Sequence, residues 1–257
     1  MSSRGVATKP SMQPNCIAIA QPTFLPWAGW FDLADQVDAL ILLDDVAFSK
    51  QSWQQRNRIR TPEGLSFLTV PVRTAGKLGQ QICDTEIAGN QFIQKTLRTV
   101  AQNYRRAEYF DRYYPPFCDV LARSAETGRL CDLNCGLIEW LATQLGVAVP
   151  SVKASQLGVG GKRGDHVAMI CEYFGSRRYL SPAGAEDYLM EDRAEFELRS
   201  IAVDLQVYEH PVYRQCFAPF EPHACVLDLL MNEGDRAGSI LRSGRRPPRP
   251  LPVRISE

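Results

Sequence analysis

The chain has 257 residues, 45% hydrophobic and 23% charged, which suits a soluble globular protein built as one large domain or a domain with a smaller lobe. Its 29 basic and 29 acidic residues cancel, so no net field draws it to nucleic acid or to an anionic membrane. No stretch approaches the ~18 consecutive apolar residues of a membrane span. Residues 1–15 carry Ser and Pro without an apolar signal core, so they read as a loose arm and the expected location is the cytoplasm.

Ile17–Ala20 is a short apolar run stopped by Gln21-Pro22, and Pro22 and Pro26 hold their predecessors extended or in turns. A helix is expected over Trp30–Gln36, after Gly29, and Ala39–Leu43 has the unbroken apolar character of a strand buried on both faces. These pieces make one strand–helix–strand crossover, right-handed by rule. Arg56–Arg60 and Leu65–Val72 flank Thr61-Pro62-Glu63-Gly64, the composition of a type I turn in a hairpin. Helices are expected from Gln91 to Arg105, over Tyr109–Ala125 with a break at Pro115-Pro116, and over Leu133–Leu145 with Asp132 as cap and Gly146 as stop. Alternation then resumes. Val147–Val152, Arg178–Leu180 and Val203–Tyr208 read as strands, with helices at Asp165–Phe174 and Cys225–Asn232. The expected fold is therefore α/β: a mostly parallel sheet flanked by helices, one domain over 16–242, with a largely helical insertion at 90–146. The Pro- and Arg-rich tail 243–257 is expected to be disordered.

Eight cysteines sit mostly in apolar runs and read as reduced structural thiols. Cys131 and Cys135 flank a helix start without a matching Cys or His pair, so no metal site is expected.

Polar groups collect at the ends of the first two strands, the edge where open α/β sheets bind ligands. Asp44 and Asp45 end the second apolar run, and as neighbours on a strand only one of them can face a given pocket. Lys50, Arg56, Asn57 and Arg58 follow, with Trp53 among them as a stacking surface; arginines there suit phosphate or carboxylate. The loop Gly158–Gly164 matches no complete phosphate-binding fingerprint, whereas Ser181-Pro182-Ala183-Gly184 lies between a strand and a helix, where backbone N–H groups can hold an anion or an acyl oxygen. Of three histidines, His166 reads as a packed helix residue and His223 as a helix-start residue. His210, at a strand end near Tyr213 and Gln215, has the neighbours of a general base.

Together these residues resemble the WbqC-like protein family. The resemblance rests on Ile17–Phe31 with its Gln21-Pro22 and Trp27-Ala28-Gly29 pieces, and on Asp44–Phe48, Arg56–Ile59, Leu68–Pro71, Tyr179–Ala185 and His210–Gln215, and covers roughly residues 16–240. Many relatives carry His or Met before the Gln-Pro pair, where this chain has Ala20. The resemblance implies a place in bacterial surface-polysaccharide (O-antigen) pathways and transfer of an acyl or aminoacyl unit to an amino sugar. On that basis the expected activity is an amide-forming transferase acting on an amino sugar nucleotide or a related amine. His210 is expected as base and Asp44 or Asp45 as the group orienting the amine. Gln21, Trp27, Lys50, Arg56, Asn57, Arg58, Ser181, Gly184, Tyr213 and Gln215 are expected to bind substrate. No cofactor is expected beyond a thioester-linked acyl donor on coenzyme A or on an acyl or peptidyl carrier protein. Two alternatives stay open: a non-catalytic sugar-nucleotide-binding assembly protein, and an adenylate-forming or nucleotidyl-transferring enzyme, although the signature histidines of the latter are missing here.

Overall fold

Successive residues of the first two apolar runs go to different cores. In the computed structural model, which describes residues 13–252, β1 (Cys16–Ala20) and β2 (Ala39–Leu42) are parallel neighbours with Ile17 opposite Ala39 and Ala20 opposite Leu42. Ala18, Ala20, Leu40 and Leu42 face one side of the sheet; Ile17, Ile19, Ala39 and Ile41 face the other. A strand covered on both faces has no polar side to keep, which is why these runs are unbroken. Between them α1 (Ala28–Asp35) starts directly after Pro26-Trp27, two residues earlier than expected, and buries Trp30, Phe31, Leu33 and Ala34.

The hairpin follows as expected: β3 (Arg56–Thr61) pairs antiparallel with β4 (Gly64–Thr69), and Gly64 supplies the positive φ of +113° that its turn requires. The insertion is helical: α2 (Gln91–Tyr104), α3 (Phe110–Ser124) and α4 (Leu130–Leu145). The expected break at Pro115-Pro116 does not occur, and α3 runs through both prolines. Each proline removes one backbone hydrogen bond. Tyr113, Phe117, Val120 and Leu121 nevertheless share one helical face and are all buried, and that stripe holds the helix together. α4 begins three residues before the expected start, so Asp132 lies inside its first turn, and Gly146 ends it at φ +64°. These helices pack into the same core as α1 and one face of the sheet, so the insertion is part of the domain rather than a lobe.

The chain then adds β5 (Ser151–Lys153), α5 (Arg163–Phe174), β6 (Arg178–Ser181), α6 (Glu186–Glu191), α7 (Arg193–Leu198) and β7 (Ala202–Tyr208). The last pieces are α8 (Val226–Glu233), α9 (Ala237–Ser243) and β8 (Arg245–Pro250). The main sheet has the order β5-β2-β1-β6-β7-β8, parallel except for β8, which runs antiparallel to β7. α5 and α7 cover the second face.

β8 corrects the expectation of a disordered tail. Its prolines are tolerated because an edge strand need not donate on its outer side, and its arginines are paired: Arg245 with Asp32 and Asp35, Arg246 with Glu209, Arg249 with Glu186. Residues 1–12 of the expected arm and 253–257 of the tail lie outside the described residues.

Candidate functional site

From β1 the chain steps outward through β2 to β5, then returns to β6 on the other side of β1. Neighbouring strands whose connections leave in opposite directions open a crevice at their carboxyl ends. A cavity of about 550 Å³ lies there, in the usual range for a small-molecule site. Its lining includes Ala20 and Gln21 from the end of β1, and Pro182 and Gly184 from the end of β6. Trp27 and Trp30 come from the turn and α1, Asn57 and Arg58 from β3, and Trp53 from the loop before β3. His223 and Tyr188 complete the polar part.

Each polar group is held by a specific contact. Gln54 Nε2 donates to Gln21 Oε1 at 2.8 Å, leaving the Gln21 NH2 for a ligand. Asn134, buried on α4, donates to the carbonyls of Pro22 (2.9 Å) and Gln54 (2.8 Å), so it fixes both sides of that pair. Asn57 Nδ2 donates to Leu25 O at 2.8 Å, and its Oδ1 accepts from the Arg58 amide at 2.8 Å. The Arg58 guanidinium carbon lies 5.2 Å from the Trp53 ring centre, a cation–π contact. Its Nε is buried, as is Trp30 Nε1, and neither finds an acceptor among the described residues.

His223 is set by two strand-like stitches, Cys225 N–H to Arg58 O at 2.7 Å and Val226 N–H to Pro26 O at 2.9 Å. Its φ is +67°, which costs a residue with a Cβ about 1–2 kcal/mol. Strain of this kind is retained where the surroundings enforce it. The ring meets Trp27 edge-on at 5.2 Å. Partial desolvation and then the Arg58 charge push its pKa below the usual value, so the imidazole is neutral near pH 7 and free to accept a proton.

The structure brings Gln21, Trp27, Asn57, Arg58 and Gly184 to this cavity and places the other expected residues elsewhere. His210 is stacked behind Trp27 at 6.1 Å, with Nδ1 at 3.0 Å from Pro211 O and a buried Nε2 that has no partner among the described residues; burial lowers its pKa. Tyr213 and Gln215 donate to the fully buried Asp228 at 2.6 and 2.9 Å, an internal network that ties the 213–221 loop to α8. Asp44 accepts from Ser155, and Asp45 lies 3.1 Å from His166 Nε2. Ser181 is buried with its hydroxyl on Pro182 O at 3.2 Å. Arg56 stacks on Phe67 at 4.3 Å. Lys50 borders a separate groove with Lys77 and Gly79. Sequence reasoning did not single out His223, Trp30, Gln54 or Asn134 for the site. No signal near His223 could have placed it, because its position depends on hydrogen bonds to segments more than 160 residues away in sequence. Among the described residues no group of three or more His, Cys, Asp or Glu is arranged to hold a metal ion.

The protein is thus an α/β protein with a doubly wound sheet and a cavity at its switch point. The chain belongs to the WbqC-like protein family, whose model matches residues 21–240. It is also 31% identical over 231 residues to Uncharacterized protein Rv1507c of Mycobacterium tuberculosis, covering 90% of this chain and 99% of the relative. No solved structure matches it. Among the described residues no helix is long and apolar enough to cross a membrane.

Proposed function

We propose that this cavity binds an amino sugar nucleotide or a related amine and transfers to it an acyl or aminoacyl group from a thioester, forming an amide. The observation that carries the reading is a neutral His223 and a guanidinium, Arg58, lining one cavity with Gln21 and three tryptophans. His223 takes the proton released as the amine nitrogen attacks the thioester carbon; the new C–N bond forms, the C–S bond breaks, and thiolate departs. Arg58 binds phosphate or carboxylate, and Trp53 offers a flat face to a base or sugar ring. The Ala185 N–H is committed to Pro182 O at 3.0 Å, so polarisation of the carbonyl oxygen falls to Arg58 or to the Gln21 amide. A surface-polysaccharide pathway in the cytoplasm is the setting in which such a donor and acceptor meet.

Purified protein supplied with coenzyme A- or carrier-linked acyl donors and amino sugar nucleotides should release thiol. His223→Asn should slow that release about 10²–10⁴-fold, the range for a lost general base, while nucleotide binding persists. Intact nucleotide binding without thiol release from any pair would overturn the transferase reading and leave a binding protein.

A further inference from the structure

Trp30 also lines a second cavity, of about 530 Å³, between α1, α4 and the β2–β5 edge, and Cys135 and Lys153 line it too. Cys131 lies one helical turn before Cys135, with the two sulfurs 3.8 Å apart and the Cys131 sulfur 3.5 Å from Asp44 Oδ2. Lys153 is bound to Asp132 at 2.6 Å. The two thiols share a proton unequally. The bond from Cys131 and then the Lys153 ammonium lower the Cys135 pKa against its burial, whereas Cys131 keeps its proton. A thiolate is the reactive form, and a lowered pKa favours it; Cys135 lines a cavity with a second thiol alongside.

We propose that Cys135 and Cys131 are a peroxide-reactive thiol pair, Cys135 attacking and Cys131 resolving. The Cys135 sulfur attacks one oxygen of a hydroperoxide. The O–O bond breaks, an S–O bond forms, and the departing oxyanion takes a proton from water. Cys131 then attacks the Cys135 sulfenic acid: an S–S bond forms, the S–O bond breaks, and hydroxide leaves as water with the Cys131 proton. The pair supplies two electrons and the peroxide accepts them. Helix neighbours four apart have Cβ atoms about 5–6 Å apart, and a disulfide needs roughly 3.5–4.5 Å, so closure must unwind the first turn of α4. Cys131 is the second residue of that helix, where the leading amides lack intrahelical partners. Asn134 sits between the two cysteines and holds Pro22 and Gln54. Oxidation therefore loosens the Gln21–Gln54 pair in the first cavity.

The test is hydrogen peroxide on the full chain, followed by alkylation and tryptic mapping. Leu130–Lys153 is one tryptic peptide containing both cysteines. It should become two hydrogens lighter before Cys83, Cys118 or Cys216 is oxidised, and a thiol reductant should reverse the change. In Cys131→Ser a dimedone adduct should accumulate at Cys135. Lys153→Gln removes the cation from a setting that includes Cys131, Asp44 and Asp132, leaves Asp132 unneutralised, and should slow the Cys135 reaction about tenfold at pH 7. A peptide that stays reduced while the other cysteines oxidise, no dimedone adduct at Cys135 in Cys131→Ser, or a Lys153→Gln rate equal to wild type would overturn the proposal. None of these readouts depends on transferase activity.

Discussion

Both carboxylate oxygens of Asp44 are occupied by Ser155, Oδ1 by its backbone N–H at 2.9 Å and Oδ2 by its hydroxyl at 2.7 Å. Asp44 is fully buried, so it ties the end of β2 to the chain leaving β5 and is not offered to a ligand. Asp44→Ala should cost about 1–2 kcal/mol, because the Ser155 N–H and hydroxyl and the Cys131 thiol lose their acceptor while exposed Ser155 can still turn to water, read as a lower urea midpoint. An unchanged midpoint would return Asp44 to the list of ligand groups. The contrast between His223 and His210 is of the same kind. His210→Ala should lower stability through lost packing on Trp27 and leave ligand binding near wild type, whereas His223→Asn should act on rate. Equal rate losses in the two variants would mean that the ring behind Trp27 reaches the chemistry after all. At this scale Asn57 and Arg58 were legible because polar residues crowd one short stretch after a buried strand. Tyr213 and Gln215 misled because a buried carboxylate, Asp228, recruits the same donors that a ligand would.

α5 is held at its N-terminal end by His166, whose Nδ1 lies 2.6 Å from Gly160 O and whose Nε2 lies 3.1 Å from Asp45 Oδ1. Both partners are acceptors, so the doubly protonated imidazolium fits best, and the bond to Asp45 raises the His166 pKa. The sign follows from linkage. A folded pKa above the unfolded value of about 6.5 gives stability that is complete below that value and disappears as pH rises through the folded one. The His166 contribution to the unfolding free energy should therefore decline as pH rises above about 6.5, against the opposite contributions of His210 and His223 with their lowered pKa values, and His166→Gln should remove that decline. A wild-type slope of the same size in the variant would assign the dependence to another group. His166 thus ties the Gly158–Gly164 loop and α5 to the segment that follows β2. Element types were legible wherever one local pattern decided them: unbroken apolar runs gave β1 and β2, and Gly146 gave the end of α4. Where tertiary packing decided, the local pattern misled, as with the proline pair that α3 absorbs.

For the whole molecule, the zero net charge concealed a local arrangement. The Pro- and Arg-rich tail looks unfoldable by composition, yet its arginines meet carboxylates of the folded chain, Arg245 reaching Asp32 and Asp35 more than 200 residues earlier. Asp32 is fully buried in α1; it accepts from Gln206 at 2.9 Å and Gln36 at 2.7 Å, and Arg245 Nε reaches it at 2.8 Å. Burial raises the pKa of Asp35, but hydrogen bonds from Arg242 and Arg245 more than reverse this, so its share of stability is lost as pH falls through the lowered value. β8 is therefore a charged edge strand that closes the sheet beside β7 and neutralises α1. Removing one partner of a buried pair leaves an uncompensated charge, at about 3–5 kcal/mol when both are fully buried. Arg245 is about a third exposed, so Arg245→Met should cost less, about 2–3 kcal/mol, a fall of roughly 4–12 °C in Tm for a chain of this size. Truncation after Ser243 should cost more, because it also removes the β7 pairing. The double variant Asp32→Asn/Arg245→Met should recover part of the Arg245→Met loss, since Asp35 keeps Arg242 as partner and no buried charge is then left unpaired. If the double variant is no more stable than Arg245→Met, the tail stabilises the protein through strand pairing alone, and the neutralisation of α1 contributes nothing measurable.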